Sequence, residues 1–399
     1  MQLARPSDVD VFGLNDAQLE QAGAHWTARE ICQQPRIWLE VERLMAGQAD
    51  ALAKFLAPVL ARPGLRIVLT GAGTSAFVGQ CLAPALAGSH THRVEAIATT
   101  DIVAGPGRWL SRATPTLLVS FARSGNSPES VAALELAQRS IDACAQLIVT
   151  CNADGALYRR ARTAATAYQI LLPAPSNDRG FAMTSSFTGM LLAAAMAFGA
   201  VPSNGARTRL LTHLAPQVLP GCMPLLQDLV RGGFERIVYL GSNSLEGLAR
   251  EAALKMLELT DGRVIAAADT PLGFRHGPKT ILNAGSVVVV LLSNDSYARQ
   301  YETDLLNELR REAVAARVIA LSTSPVATAH RDDILLASSA ADGAPASDLE
   351  SCFPFALFAQ SLALLRSLSV GVRPDTPNAA GTVSRVVQGV SIYPWHHQR

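Results

Sequence analysis

Leu117-Leu-Val-Ser-Phe-Ala-Arg-Ser-Gly-Asn-Ser-Pro-Glu-Ser130 is the stretch on which the reading of this chain turns. Residues 117–120 form a short apolar run of the kind that makes a buried parallel strand, and Ser124-Gly125-Asn126-Ser127 is a tight polar turn. Pro128 suits the first position of a helix, where its missing N–H is not needed. Ser127 is therefore the expected N-cap and 128–138 the expected helix. A strand, turn and helix joined in this way aim backbone N–H groups and hydroxyls at one spot, where the helix dipole also favours an anion. On these residues alone two readings stand, a phosphate site and a plain N-cap that binds nothing.

The neighbouring sequence repeats the pattern. Residues 65–70 read as a strand, followed by Gly71-Ala-Gly-Thr-Ser75 and a helical run over 76–87. Gly-x-Gly alone is a weak dinucleotide signal, and the third glycine of that fingerprint is missing. Thr74 and Ser75 occupy the turn beside Gly73 instead, and hydroxyls suit a monophosphate or a sugar better. Further strand candidates lie at 94–98 and 147–150, with helix-like runs between them. This alternation predicts an α/β architecture, a doubly wound parallel sheet flanked by helices whose ligands bind beyond the carboxyl ends of the strands. A polar loop, residues 178–188, then opens an apolar helix over 186–200, with Thr184, Ser185 or Ser186 as its cap. It reads either as a capped core helix or as a third group of hydroxyls at the ligand site.

A second copy of this unit begins near residue 236. Residues 237–240 end in Gly241-Ser-Asn-Ser244, and further strands at 287–292 and 318–321 recur at an offset of about 170 residues. The spacing from Gly71 to Ser124 equals that from Gly241 to Asn294, 53 residues in each case. Repetition of a whole supersecondary unit says more than any one motif. The copies differ where chemistry is expected, because Ser293-Asn-Asp-Ser296 lacks the glycine and the helix-starting proline, so the phosphate site is assigned to the first copy. The expected domains are an N-terminal arm and helix over 1–45, a phosphate-binding domain over 46–215, and a catalytic domain with a C-terminal tail over 216–399.

In the second copy, residues 244–260 form a helix on which Glu251, Lys255 and Glu258 share one narrow stripe. Leu248, Ala252 and Leu259 border that stripe on one side and Leu254 on the other. Apolar flanks favour a partly buried site over an exposed ion pair. Burial makes a carboxylate a better base near neutrality, and Lys255 opposes that shift. Residues 271–279 read as a loop that holds His276 and Lys279 between glycine and proline. A lone loop histidine is commonly solvated, so His276 stands as solvated or catalytic. The stretch 373–389 is polar and proline-led, suited to a tail folded over a site. Near the N-terminus, Thr27-Ala-Arg-Glu30 reads as a capping box with a Trp26–Ile31 staple, starting a helix at 28 that Pro35 interrupts.

Composition narrows the function classes. The chain has 399 residues, of which 49% are apolar, with 34 basic and 33 acidic residues in scattered order. Neither a nucleic-acid surface nor an anionic-membrane surface is expected. The apolar run at 191–201 is too short to span a bilayer, and a cytoplasmic protein is the expectation. Six cysteines without paired spacing read as reduced core residues, and His396-His397 as a solvated tail. No metal or organic cofactor is expected. Lysine occurs only at 54, 255 and 279, two of them beside the candidate catalytic residues.

Taken together, Gly71-Ala-Gly-Thr-Ser75, Ser124-Gly-Asn-Ser-Pro128, the 251–258 stripe and Phe274-Arg-His-Gly-Pro-Lys279 resemble the sugar isomerase (SIS) superfamily over two tandem SIS domains. Within it, Thr27-Ala-Arg-Glu-Ile, Arg179-Gly-Phe-Ala-Met-Thr-Ser-Ser and Gly381-Thr-Val-Ser-Arg-Val-Val-Gln-Gly are similar to the AgaS-type proteins, understood as galactosamine-6-phosphate deaminases. The resemblance implies that Ser75, Ser124 and Ser127, with backbone near Arg123, hold a sugar phosphate. Gly73, Thr74, Thr184 and Ser185 would line the sugar. Glu258 matches the base that moves a proton between C1 and C2 in the isomerase domain of glucosamine-6-phosphate synthase, and His276 the histidine that assists ring opening there from a neighbouring subunit. Lys255 stands beside that base. A small-molecule sugar phosphate as partner, and a homodimer or higher homo-oligomer with sites at the subunit interface, follow from the same resemblance. One departure is visible: that synthase forms a Schiff base with a lysine in its C-terminal tail, and no lysine follows 279 here. The chain starts Met1-Gln2 and not with a nucleophilic Cys, so free ammonia is the expected product. Glucosamine 6-phosphate deamination, plain isomerisation, and a non-catalytic sugar-phosphate sensor are the alternatives.

Overall fold

The computed structural model describes residues 12–88, 91–326, 330–337, 344–387 and 389–395; the His396-His397 pair lies outside them. Strands β1 (Arg66–Thr70), β2 (Arg93–Ala96), β3 (Thr116–Ala122), β4 (Cys144–Thr150) and β5 (Ala167–Leu171) form one parallel sheet in the order β2-β1-β3-β4-β5. Strands β6 (Arg236–Leu240), β7 (Ile265–Asp269), β8 (Ser286–Leu291), β9 (Arg317–Ser322) and β10 (Ile334–Leu335) form a second in the equivalent order β7-β6-β8-β9-β10. Register repeats as well as order. Arg66 in β1 faces Thr116 in β3, and Arg236 in β6 faces Ser286 in β8, so both strands are displaced by the same 170 residues. This is the expected α/β architecture, twice over.

Strands covered on both faces must be largely apolar, which is why β3 and β8 show as apolar runs, interrupted only by Thr116 and Ser120 in β3 and by Ser286 at the start of β8. β3 runs from 116 to 122, longer than the 117–120 of the apolar run, because Phe121 and Ala122 continue pairing with β4. The sheet edges are half-exposed and less apolar. β5 (Ala-Tyr-Gln-Ile-Leu) and β7 (Ile-Ala-Ala-Ala-Asp) carry no dense β-branched run and have no counterpart in the sequence reading.

By packing, the chain divides into two compact units. One holds Ile37–Asn177, Ser185–Ser203 and Ala380–Arg399, and so the first sheet; the other holds Met1–Arg36, Asp178–Thr184 and Asn204–Ala379, and so the second. In the first unit the helix Thr74–Ala87 packs on the helix Ser185–Ala197. Equivalently, in the second the helix Ser244–Leu259 packs on the helix Asp348–Ser369. By length and composition alone Asp348–Ser369 could cross a membrane, yet its apolar window is 89% buried in the fold, the mark of a core helix.

The N-terminal segment departs from the capping-box reading. The helix His25–Cys32 starts with Ala24 at the N-cap, which places Thr27 inside the first turn. Its orphan N–H groups go to a carboxylate from the far end of the chain: Asp375 accepts from Trp26 N–H (3.0 Å), Thr27 N–H (2.8 Å) and the Thr27 hydroxyl (2.7 Å). Glu30, freed from the cap, takes the backbone N–H groups of Arg179 and Gly180 (3.1 Å for Gly180). The Arg179 guanidinium lies 4.5 Å above the Trp26 ring, so no Trp26–Ile31 staple is needed. Pro35 sits in the first turn of the next helix, Gln34–Gly47, and a break at Gln48 separates it from Ala49–Leu60.

Candidate active site

In the first unit the turns after β1 and β3 emerge from adjacent strands at the point where the sheet order reverses, the place where open α/β sheets bind ligands. Gly71 is obligatory there, since a Cβ on it would lie 2.5 Å from the backbone of Ser75. Gly73, with φ +55°, is the N-cap of the helix that carries Thr74 and Ser75 in its first turn. After β3, Arg123 is buried and its Nη2 donates to the backbone carbonyl of Arg385 (2.8 Å), so the C-terminal stretch does reach one of the expected phosphate residues. Gly125, with φ +64°, makes the turn. Asn152 Nδ2 donates to the Ser124 carbonyl (2.8 Å) and Ala156 N–H to Asn126 Oδ1 (2.9 Å), which fix the turn from the loop after β4. Ser127 is at the N-cap of the helix Pro128–Ser140, as read from sequence, but makes no capping bond: its hydroxyl donates to Ser130 Oγ (2.6 Å). The amino end of that helix therefore carries no side-chain cap, and a neighbouring anion would take its place.

Thr184 and Ser185 are completely buried. Asp178 accepts from the N–H (2.8 Å) and the hydroxyl (3.1 Å) of Thr184. Thr184 and Gly180 thus share a loop held by two buried carboxylates, Asp178 and Glu30. Burial, reinforced by the negative charge of Asp178, pushes the Glu30 carboxyl up to about 8, against the two backbone N–H bonds that pull it down. This clamp escaped the sequence reading: its parts come from 30, 178 and 375, and no motif links such scattered acids.

In the second unit, the stripe on the helix Ser244–Leu259 is partly buried, as its apolar flanks imply. Lys255 is fully enclosed between two carboxylates, bonded to Glu258 Oε2 and 3.5 Å from Glu251 Oε1. The Glu251 side chain is 2% exposed and that of Glu258 25%. Glu258 is therefore the member of the triad that reaches outside. The 271–279 segment is more ordered than a loop. Thr270 caps a short helix, Pro271–Phe274, by accepting from Gly273 N–H (3.0 Å), and a 3-10 turn follows at Pro278–Ile281. Exposed His276 sits between the two, and its flanks are pinned to the helix Ser296–Glu312: Arg275 pairs with Glu308 (2.9 Å), Lys279 with Glu308 and with Glu312 (2.8 Å).

Topology separates these two candidates. A helix linking parallel strands runs antiparallel to them, so Glu258, in the last turn after β6, lies toward the amino ends of the second sheet. His276 follows the carboxyl end of β7. About 24 Å of helix lies between the two edges. Among the described residues no group of three or more His, Cys, Asp or Glu could hold a metal ion, and the six cysteines are free thiols.

The sequence model of the SIS domain matches residues 60–200. D-Galactosamine-6-phosphate deaminase AgaS of Escherichia coli is 47% identical over 379 residues, which cover 93% of this chain and 96% of that one. The protein of the same name from Shewanella sp. (strain ANA-3) is 42% identical over 386 residues, covering 96% and 95%. Among solved structures, tagatose-6-phosphate ketose/aldose isomerase from Escherichia coli superposes with a TM-score of 0.85 at 43% identity, covering 93% of this chain and 96% of that one.

Proposed function

The chain belongs to the AgaS-type branch of the SIS family, and from that premise we propose that it converts D-galactosamine 6-phosphate and water to D-tagatose 6-phosphate and ammonia. The observation that carries the reading is the Glu251–Lys255–Glu258 triad, a buried cation that fixes one outward-facing carboxylate. Glu258 takes the proton from C2 of the open-chain sugar and returns it to C1, while the aldehyde oxygen becomes the C1 hydroxyl and the amine becomes a C2 imine. Water adds to that imine and ammonia leaves, which yields the ketose. His276 assists ring opening, and Lys255 keeps the Glu258 carboxylate in one orientation through a charge-assisted bond. The C2-to-C1 step is proton transfer, and hydrolysis then forms the C2–O bond and breaks the C2–N bond, with no external oxidant or reductant needed.

Residues 46–215 supply the phosphate end through Ser75, Arg123, Ser124 and Ser127, with Gly73 and Thr74 beside the sugar; residues 216–399 supply the acid and base. Thr184 and Ser185, enclosed as they are, act by holding the loop and helix start in place. The separation of Glu258 from His276 along the second sheet supports a homo-oligomer in which the histidine comes from a neighbouring copy. The working compartment is the cytoplasm, where sugar phosphates are found. Ammonia release from galactosamine 6-phosphate, run beside glucosamine 6-phosphate with the sugar product identified by NMR, tests the reading. Ammonia with tagatose 6-phosphate is expected. Tight binding without ammonia, or ketose formation without ammonia, rejects it.

A further inference from the structure

The loop after β8 stands, by strand order and register, where the first sheet has Ser124-Gly125-Asn126-Ser127 after β3. The helix that follows begins at Ser296 in one and Pro128 in the other, so on a shared displacement of 170 residues the second loop is two residues shorter. What the two loops bind is also different. Among the described residues no carboxylate accepts a hydrogen bond from 124–127, and the helix Pro128–Ser140 has no side-chain cap. In the second sheet three of the loop's donors end on carboxylates of the chain itself, while Asp295 N–H donates to Ser293 Oγ (3.0 Å) and Asn294 Nδ2 to the Ala346 carbonyl (2.6 Å). Asp348 accepts from the Ser293 hydroxyl (2.6 Å) and Asn294 N–H (2.6 Å), and Glu302 accepts from Ser293 N–H (2.7 Å). Asp295 caps the helix by accepting from Tyr297 N–H (3.0 Å) and Ala298 N–H (2.9 Å).

The residue that supplies this carboxylate has a counterpart too. Asp348 and Ser185 are the first residues of the long buried helices that follow the last strand of each sheet. A hydroxyl in the first copy is a carboxylate in the second. Arg299, which donates to the Ser293 carbonyl (2.9 Å) and the Ser322 hydroxyl (2.8 Å), supplies a positive charge that favours the ionised form of Asp348. Burial raises Asp348 from the usual carboxylate range, while its bonds from Ser293 and Asn294 pull it back.

We infer that Asp348 is an internal anion: its carboxylate takes, in the second sheet, the place that the substrate phosphate takes in the first, so each chain binds one sugar phosphate and not two. The inference rests on the reading of 124–127 as the phosphate loop. A phosphomonoester entering the second crevice would meet the Asp348 carboxylate already bonded to the Ser293 hydroxyl and Asn294 N–H, and like charges exclude it.

Calorimetric titration with a hexitol 6-phosphate, a phosphomonoester with no carbonyl and so no turnover, gives the stoichiometry. One site per chain is expected, weakened about tenfold or more by Ser124→Ala/Ser127→Ala, where lost hydroxyl bonds to a charged group are at stake. Two sites per chain overturn the inference and leave the phosphate reading intact. One site indifferent to Ser124→Ala/Ser127→Ala rejects the phosphate reading instead. Asp348 itself is tested by Asp348→Ala melted in sodium formate and in sodium chloride of equal concentration. Formate, a free carboxylate, should raise the Tm of the variant by about 1–2 °C relative to chloride, and leave the parent and Asp348→Asn unchanged. No such difference overturns the role given to Asp348. Should Asp348→Ala not fold, the stoichiometry of the unaltered chain still decides.

Discussion

Lys255 has no route to water, and its ammonium lies against the carboxylates of Glu251 and Glu258. Replacing it by Met leaves two carboxylates facing each other in a site built for three charges. Lys255→Met should lower stability by about 3–5 kcal/mol, read as a fall in denaturant midpoint at constant slope, together with loss of turnover. Glu258→Gln separates the two effects: it keeps shape and hydrogen bonding, so ligand binding should persist while turnover falls by about 10²–10⁴-fold. Unchanged turnover would remove Glu258 from the role of base. Glu30 gives a prediction in pH. Its carboxyl is raised from 4.5 to about 8 in the folded chain, so across that window the folded state holds a proton that the unfolded state has lost. Stability is therefore fully present below pH 4.5 and falls as pH rises toward 8, by at most about 1.4 kcal/mol per pH unit. Glu30→Gln, which can still accept from Arg179 and Gly180, should flatten that slope in melts taken between pH 5 and 8; an unaltered slope would show that Glu30 is not its source.

At the scale of elements, the strand-to-helix turns carry the most exacting geometry. A Cβ at Gly71 would press on the backbone of Ser75, and one at Gly241 on the backbone of Leu245, both at 2.5 Å. Neither neighbour is a flexible side-chain tip, so the helix start must move. Gly71→Ala should weaken phosphate-ester binding by about tenfold or more, since the displaced segment carries Thr74 and Ser75, whereas Gly241→Ala should lower Tm and leave that affinity within about twofold. These turns were legible in the sequence, because a glycine between an apolar run and hydroxyls has few other uses. The central strands were legible for the same kind of reason: β1, β3, β6 and β8 are buried on both faces and must be largely apolar. What stayed hidden depends on partners distant in sequence. Edge strands β5 and β7 have no such compositional pressure, and the cap of the helix His25–Cys32 comes from Asp375, which no local pattern around Thr27 could reveal. Within the candidate site, Glu258 and the serines follow from helical spacing and turn chemistry. The clamp of Glu30 and Asp178, and the placement of Asp348, follow only from the fold.

Across the whole molecule the internal repeat was visible as equal spacings, and the structure extends it to strand order and register. Spacing along the chain could not show that the two compact units are interleaved. Residues 1–36 and 178–184 pack with 204–379, and 380–399 return to the unit of the first sheet. A chain ending at residue 203 should therefore lack the partners of its first 36 residues, Asp375 among them. Such a fragment is expected to give no cooperative thermal transition, and a cooperative melt near that of the full chain would contradict the division. Interleaving also imposes an order in time. The helix His25–Cys32 waits for a carboxylate some 350 residues behind it, about half a minute of synthesis at ~5–20 residues per second. Through that interval the helix His25–Cys32 also lacks its packing against the helix Asp348–Ser369, so the nascent chain, more than the finished one, is where this fold is exposed to chaperones and proteases.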